Sequence, residues 1–553
     1  MNVQRYTIHI TPQGESLEAA AGQSLLEALA ENGIFLRSDC GGKGACGKCV
    51  VKILDSDFLE AQPPSTAEQK LVGVSSLKAG HRLACRVEVC GDLSIEIPKQ
   101  ALLSPEVVQK PPLSKMLQPD YSASRRTPGR SGEYGLAVDL GTTTIAIYLC
   151  DLAANSVTAT VSVKNPQSFF GEDVISRINA VVQDGALLHR LQRMAVRAIE
   201  WGAASLLKSR RIPEEYIKKM VVVGNSTMIH LFLAEDPTSL GVFPYRPRFV
   251  QERTLKADAV NFRFHDSISV LTLPLISGFL GADILGAALA TDIRQAEPGA
   301  MLIDVGTNGE VMLRAAQGLL GTSCATGPAF EGATIRHGMP AVSGAIDAVR
   351  IDPGSGGVTC HLIQNNPAAL KKAAGICGSG VVSAVAELLR AGILVQSGRF
   401  NPEIELPNLC RGEDGVQEFI LVKGEESEMK RPITLTQKDV RAVQLAKGAL
   451  ITGIELLCRE MRLDRPKQLL VAGGFGNFLN KEDAMTIGMF PRLADDDLQA
   501  VGNAAGEGAV LTLFDPGFLK KAKEVVQDTQ VKDLAADPAF QEKFVKSLDY
   551  PKP

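Results

Sequence analysis

The rhythm of apolar positions divides the chain into three stretches. In the first, apolar and polar residues alternate. Tyr6-Thr7-Ile8-His9-Ile10 puts every second side chain on one face, and Cys49 to Leu54, Leu83 to Val89 and Leu93 to Ile97 read as further strands. Between them, Ser24-Leu25-Leu26-Glu27 is a capping box that starts a helix, and Asn32-Gly33 stops it. Residues 1–98 therefore read as a small α+β unit. Across residues 99–132 the rhythm is lost: Pro105, Pro111, Pro112, Pro119 and Pro128 stand among serines and a local basic excess, the pattern of a partly extended, flexible linker. From Tyr134 onward, short apolar runs such as Gly135 to Val138, Val221 to Val223, Met301 to Ile303 and Leu469 to Val471 each enter a Gly-rich turn. Amphipathic helices intervene, for example Leu187 to Leu207 and Asp439 to Arg459. That is an α/β pattern.

Composition adds exclusions. The 553 residues carry 58 Lys+Arg against 62 Asp+Glu, a formal net charge of −4, and are 45% hydrophobic. That is ample material for more than one core, and it excludes a disordered chain, a fibrous repeat and a small disulfide scaffold. Near-neutral charge without a basic run predicts no nucleic-acid partner. The first twenty residues lack an apolar core of signal-peptide length, and no apolar run reaches the ~18 residues of a membrane span. A cytoplasmic protein with no membrane partner is expected. In a reducing compartment most of the 11 Cys should be buried thiols. Cys40, Cys46, Cys49, Cys85 and Cys90 cluster instead, and clustered Cys in an intracellular chain argue for metal.

Cys40-Gly41-Gly42-Lys43-Gly44-Ala45-Cys46-Gly47-Lys48-Cys49 is C-x5-C-x2-C, with Cys85 supplied from further along. Four thiolates are the full ligand set of a [2Fe–2S] cluster. Gly41, Gly42, Gly44 and Gly47 permit the tight turns by which one short loop brings three thiolates to two irons. A structural zinc site built on Cys46 and Cys49 is the competing reading, and Cys90 competes with Cys85 as fourth ligand.

A second constellation lies in the α/β part. Asp139-Leu140-Gly141-Thr142-Thr143-Thr144 and Asp304-Val305-Gly306-Thr307-Asn308-Gly309 repeat one plan, each between two apolar strands. A glycine there lets the backbone approach phosphate, N–H and hydroxyl groups donate to it, and the carboxylates of Asp139, Asp304 and Glu310 suit a magnesium ion held through water. The echo predicts two related lobes facing a cleft. Gly473-Gly474-Phe475-Gly476-Asn477 follows a third apolar strand and offers a flat seat for adenosine.

Residues 1–98 resemble a β-grasp [2Fe–2S] ferredoxin of the adrenodoxin-type spacing, with Cys40, Cys46, Cys49 and Cys85 at the ligand positions. The three glycine-rich segments resemble the phosphate-1, phosphate-2 and adenosine motifs of the actin, sugar-kinase and heat-shock-70 superfamily, a two-lobed ribonuclease-H-like ATPase fold. With Asn165-Pro166-Gln167, Gly171-Glu-Asp-Val-Ile-Ser-Arg177 and Gly327-Pro-Ala-Phe-Glu331-Gly332, the whole resembles the reductive activators of corrinoid-dependent methyltransferases and corrinoid iron–sulfur proteins. The resemblance implies a ferredoxin domain (1–98), a linker (99–132), a middle domain with the phosphate-1 motif (133–216), a large actin-like domain (217–535) and a C-terminal tail (536–553). It implies ATP-dependent transfer of one electron from a low-potential donor, through the cluster, to Co(II) of a corrinoid partner, giving Co(I). Glu310, Asp173 and Glu331 are the candidates for orienting the attacking water. Superfamily members often dimerise, so a homodimer is one expected state. Two other readings stay open: an ATP-driven electron donor to an acyl-CoA dehydratase or reductase, with Cys324 and Cys377 bridging a [4Fe–4S] cluster, and a redox-gated nucleotide sensor without catalysis.

Overall fold

The fold was obtained as a computed structural model, which describes residues 4–12, 14–38, 40–103, 132–265, 267–332, 334–364, 372–412, 414–473 and 479–552. The N-terminal unit is a five-stranded sheet in the order Glu15–Ala20, Arg5–Thr11, Leu93–Glu96, Val50–Ile53, His81–Leu83. Arg5–Thr11 and Leu93–Glu96 run parallel, and the other pairs are antiparallel. Helix Leu25–Glu31 buries Leu25, Leu26 and Leu29 against this sheet, which makes the unit a β-grasp. Its cap is half of the expected box. Ser24 accepts from the Glu27 N–H at 3.3 Å, but the Glu27 carboxylate pairs with Arg190 of the next domain, at 3.0 Å. The expected strand over Leu83 to Val89 is also corrected. Pairing stops at Leu83, and Ala84–Arg86 form a 3-10 turn. There the chain leaves the sheet for the helix N-terminus, where the Leu25 N–H donates to Val87 O.

The α/β part contains two six-stranded sheets of one plan. In the first, Tyr134–Leu140, Thr144–Asp151 and Ser156–Lys164 form an antiparallel meander, and Ile217–Gly224 lies parallel beside its first strand. In the second, Ala300–Val305, Gly309–Arg314 and Leu319–Cys324 form the meander, and Gln468–Ala472 is the parallel neighbour. A boundary at 216/217 would cut the first sheet, because Ile217–Gly224, Arg253–Lys256 and Ser269–Thr272 all belong to it. The lobes exchange at residues 297–299 instead, between 3-10 turn Ile293–Gln295 and strand Ala300–Val305.

Helices Ala282–Thr291 and Ala504–Phe514 cross between the lobes. A Cβ on Gly508 would fall 2.1 Å from Gly286 O, so the crossing is as close as two bare backbones allow. The expected tail packs back on the second lobe: Tyr550 is buried, and its N–H donates to Gln396 O at 2.8 Å. Of the expected linker, 99–103 is described and runs along the ferredoxin unit, with the Leu103 N–H donating to Phe35 O at 2.8 Å. Residues 104–131 lie outside the described residues. Among the described residues no helix is long and apolar enough to cross a membrane.

Candidate functional site

Two centres carry the expected residues. The first is the loop between helix Leu25–Glu31 and strand Val50–Ile53. Gly41, Gly42, Gly44 and Gly47 hold φ of +58°, +82°, +71° and +71°, which side chains rarely adopt. At Gly44 a Cβ would also strike the Arg86 guanidinium, 2.2 Å away. This winding sets the thiols in two touching pairs, Cys40 with Cys46 and Cys49 with Cys85. The hydrogen bond from Cys85 pulls the Cys49 thiol down to about 7, and the same contact pushes Cys85 up. The Ala45 N–H points at Cys40 Sγ, 3.4 Å away. Cys90 is exposed and takes a hydrogen bond from Gln62. Each iron of a [2Fe–2S] cluster takes two thiolates, and the thiols stand two and two. A zinc site would gather all four on one ion, whereas here the contacts run within the pairs Cys40–Cys46 and Cys49–Cys85.

The second centre is a cavity of about 270 Å³ between the lobes. Asp139, Gly141, Thr142, Thr143 and Thr144 line it from the first lobe, and Asp304, Gly306, Thr307, Asn308 and Glu310 from the second. Gly473 closes one side with φ +95°, and a Cβ there would come 2.7 Å from Asp304 Oδ1. Gly474, Phe475, Gly476 and Asn477 lie outside the described residues, as does Phe478. Gly309, at the start of its strand, packs under Thr326 and Leu450 rather than into the cavity.

Sequence reasoning missed several members of this site, Lys164, Asp283, Asn225 and Asn503 among them. Asp283 stands at the start of the crossing helix Ala282–Thr291, Asn225 follows strand Ile217–Gly224, and Asn503 caps Ala504–Phe514. Asn225 donates to Thr142 Oγ1 at 3.0 Å. Asn225 repeats the signal that found Asp139 and Asp304, a polar residue closing an apolar strand. Burial pushes the Asp283 carboxyl up to about 7, reinforced by Asp304. Burial likewise pushes Glu310 well above the carboxylate range, with Asp283 and Asp304 adding to it. A dehydrated set of carboxylates in mutual repulsion is a donor set that fits a hard cation. Mg²⁺ suits such a set, because it keeps waters and shares phosphate oxygens.

Of the candidates for orienting water, Asp173 is not in the cleft. It caps helix Val174–Gln183, accepting from the Ser176 N–H at 2.8 Å. Glu331 joins the two turns: its carboxylate accepts from Thr143 Oγ1 at 2.6 Å and from Thr307 Oγ1 at 2.9 Å. Cys377 caps helix Gly378–Arg390 and lines the cleft, whereas Cys324 is buried and its thiol is pushed up to about 12 by burial and Glu310.

A β-grasp unit with paired cysteines, joined to two lobes of one plan around an acidic cleft, defines an iron–sulfur protein with an actin-like nucleotide fold. Comparison with known proteins agrees. The model of a 2Fe-2S iron-sulfur cluster binding domain matches residues 8–90, that of the RACo middle region residues 134–296, and that of the C-terminal domain of RACo, the ASKHA domain, residues 299–553. The chain is 28% identical to the corrinoid activation enzyme RamQ of Eubacterium limosum, over 96% of this chain and 97% of that protein. It is 26% identical to the [Co(II) methylated amine-specific corrinoid protein] reductase of Methanosarcina barkeri, over 66% of this chain and 67% of that one. The solved structure of a reductive activator for corrinoid, iron-sulfur protein superposes with a TM-score of 0.70 at 27% identity, covering 99% of this chain and 98% of that one. The chain belongs to the family of reductive activators of corrinoid proteins.

Proposed function

We propose that this protein reduces Co(II) to Co(I) in a corrinoid partner, one electron at a time, at the expense of ATP. The observation that supports it is the presence, in one chain, of paired thiols fit for a [2Fe–2S] cluster and of twin Thr-bearing turns around an acidic cleft. In this reading Cys40, Cys46, Cys49 and Cys85 would hold a [2Fe–2S] cluster, whose one-electron chemistry would link a low-potential donor to cobalt. Gly141 to Thr144 and Gly306 to Asn308 cradle the phosphates. Asp139, Asp283, Asp304 and Glu310 would supply carboxylate oxygens to Mg²⁺. Gly473 to Asn477 receive the adenosine. The test is to mix the reduced protein with a Co(II) corrinoid protein, with and without ATP, and follow the Co(I) absorption band. ATP-dependent appearance of the band is expected; its absence with every corrinoid partner tried would remove the proposal.

Two further outcomes follow from the cleft. Asp283 holds a proton near neutrality because burial and the neighbouring carboxylates raise it to about 7, and a cation must expel that proton. Apparent Mg²⁺ affinity in the presence of nucleotide should therefore climb between about pH 6 and about pH 8 and then level off. Calorimetry in buffers of different ionisation enthalpy should detect the released protons, and a flat pH profile would refute this. Glu331 holds a negative charge against both phosphate turns. Glu331→Gln keeps an acceptor for one threonine, turns an amide donor to the other and removes that charge, so a non-hydrolysable ATP analogue should bind about fivefold to tenfold more tightly. Equal or weaker binding would show that the carboxylate does not face the phosphates.

A further inference from the structure

The segment from Asn165 to Arg177 touches both centres. Its outer face carries the ferredoxin unit. A Cβ on Gly41 would lie 3.1 Å from Glu172 Oε1, and Lys43 Nζ is 3.4 Å from the same oxygen. Phe169 packs against the ferredoxin core and against the Gly42 position. Around this contact the docking is specific. Arg190 pairs with Glu27 and Glu31, Arg193 with Glu31, and the Phe35 ring lies 5.1 Å from Trp201.

The inner face carries the phosphate-1 turn. Asn165 Nδ2 donates to Gly141 O at 2.9 Å, and its backbone N–H to Thr143 O at 2.8 Å. Arg177, fully buried, donates to Gly171 O at 2.9 Å through Nε, to Gln167 Oε1 at 3.1 Å through Nη1, and to Thr142 O at 2.6 Å through Nη2. One guanidinium thus grips the residue next to Glu172 and the turn next to the cleft.

We propose that Arg177 is a positioning residue that couples the charge of the cluster to occupancy of the phosphate turn, so that nucleotide binds the oxidised protein more tightly than the reduced one. The inference rests on the function proposed above. Reduction adds a negative charge to the loop beside Glu172, and nucleotide adds negative charge beside Thr142. Both changes draw on the same buried guanidinium, and two anionic additions that share one counter-charge in a poorly screened interior oppose each other. The coupling is reciprocal. Whatever factor separates the two nucleotide affinities also lowers the midpoint potential of the cluster when nucleotide is bound, about 59 mV for a tenfold factor and one electron. Bound nucleotide therefore makes the docked cluster the stronger reductant.

The test is made on the full chain under anaerobic conditions. The Kd of a non-hydrolysable ATP analogue is measured for the oxidised and the dithionite-reduced protein, and the midpoint potential is titrated spectroscopically with and without the analogue. The reduced protein should bind about threefold to tenfold more weakly, with a matching fall in potential. Glu31→Arg repels Arg190 and Arg193 and undocks the ferredoxin unit without touching either centre. It should bring the affinity ratio to one while leaving the oxidised-state affinity in place. Arg177→Lys keeps the charge but loses the fork, and should shrink the ratio. Equal affinities in the unaltered protein, or a ratio that persists in Glu31→Arg, would overturn the coupling alone. Failure of the analogue to bind in either state would instead overturn the nucleotide site itself, and the coupling with it.

Discussion

Glu68→Ala is expected to destabilise the ferredoxin unit by about 3–5 kcal/mol, the largest stability loss a single side chain in this domain should produce. Glu68 and Arg82 are both essentially inaccessible, and the pair is bidentate at 2.8 and 3.2 Å. No lone pair is left over: the carboxylate also accepts from Ser65 N, Ser65 Oγ and Leu83 N, while Arg82 Nη1 donates to Gln62 O. Truncating Glu68 strands the guanidinium in the interior and frees the strand end at Leu83, two residues before Cys85. Burial alone would raise the Glu68 carboxyl, but Arg82 and Ser65 outweigh it and hold it below the ordinary range. A depressed carboxyl stabilises the fold above its unfolded-state pKa, and that contribution is lost as pH falls through the folded value. The domain should therefore be acid-sensitive, and Glu68→Ala should flatten that sensitivity. The measurement is loss of the cluster's visible absorption in denaturant or on heating. The control is Glu18→Ala in the exposed Arg5–Glu18 pair, expected to cost about 0–1 kcal/mol. A Glu68→Ala protein that bleaches together with that control would refute the argument.

What could be read from the sequence, and what could not, separates by range. The cysteine loop was legible because its cysteines and its left-handed glycines are neighbours in the chain. The twin turns were legible because each is an apolar strand ending in Asp-x-Gly-Thr. Cys85 was placed in a strand because Leu83-Ala84-Cys85-Arg86-Val87 alternates well enough. What ends the strand is a backbone partner sixty residues away, Leu25, which no local pattern records. Glu27 fitted a capping box and spends its carboxylate on Arg190, again a partner from another domain. The boundary at 216/217 failed for the same reason. Nothing in Ile217–Gly224 states that it pairs with Tyr134–Leu140 rather than opening a new sheet. Asp283 and Asn503 reach the cleft because two helices cross, and their sequence neighbours carry no phosphate signature.

That crossing carries the second large effect. Gly508→Ala should lower partner-stimulated ATP hydrolysis by about 10²-fold in a protein that still folds. The new methyl carbon would sit 2.1 Å from Gly286 O and 2.5 Å from Gly286 Cα, backbone atoms that cannot rotate away. Ordinary contact requires about 1 Å more, so helices Ala282–Thr291 and Ala504–Phe514 must part. Their first turns carry Asp283 and Ala505 into the cleft, and Asn503, which caps the second helix, donates to Tyr148 Oη at 2.6 Å. Separating the helices moves these groups relative to Asp139 and Asp304, and a displacement near 1 Å is enough to disorganise a phosphate-transfer site by that factor. The stability cost should be modest, about 1–3 kcal/mol, because the sheets beneath keep their pairing. Gly185→Ala, with nothing within 4 Å of the added carbon, is the control and should hydrolyse ATP like the parent. Since Gly508 touches neither phosphate turn nor cluster loop, cluster absorption should be unaltered in both variants. Hydrolysis by Gly508→Ala within about threefold of the parent would mean that the spacing of this helix pair does not set the geometry of the cleft.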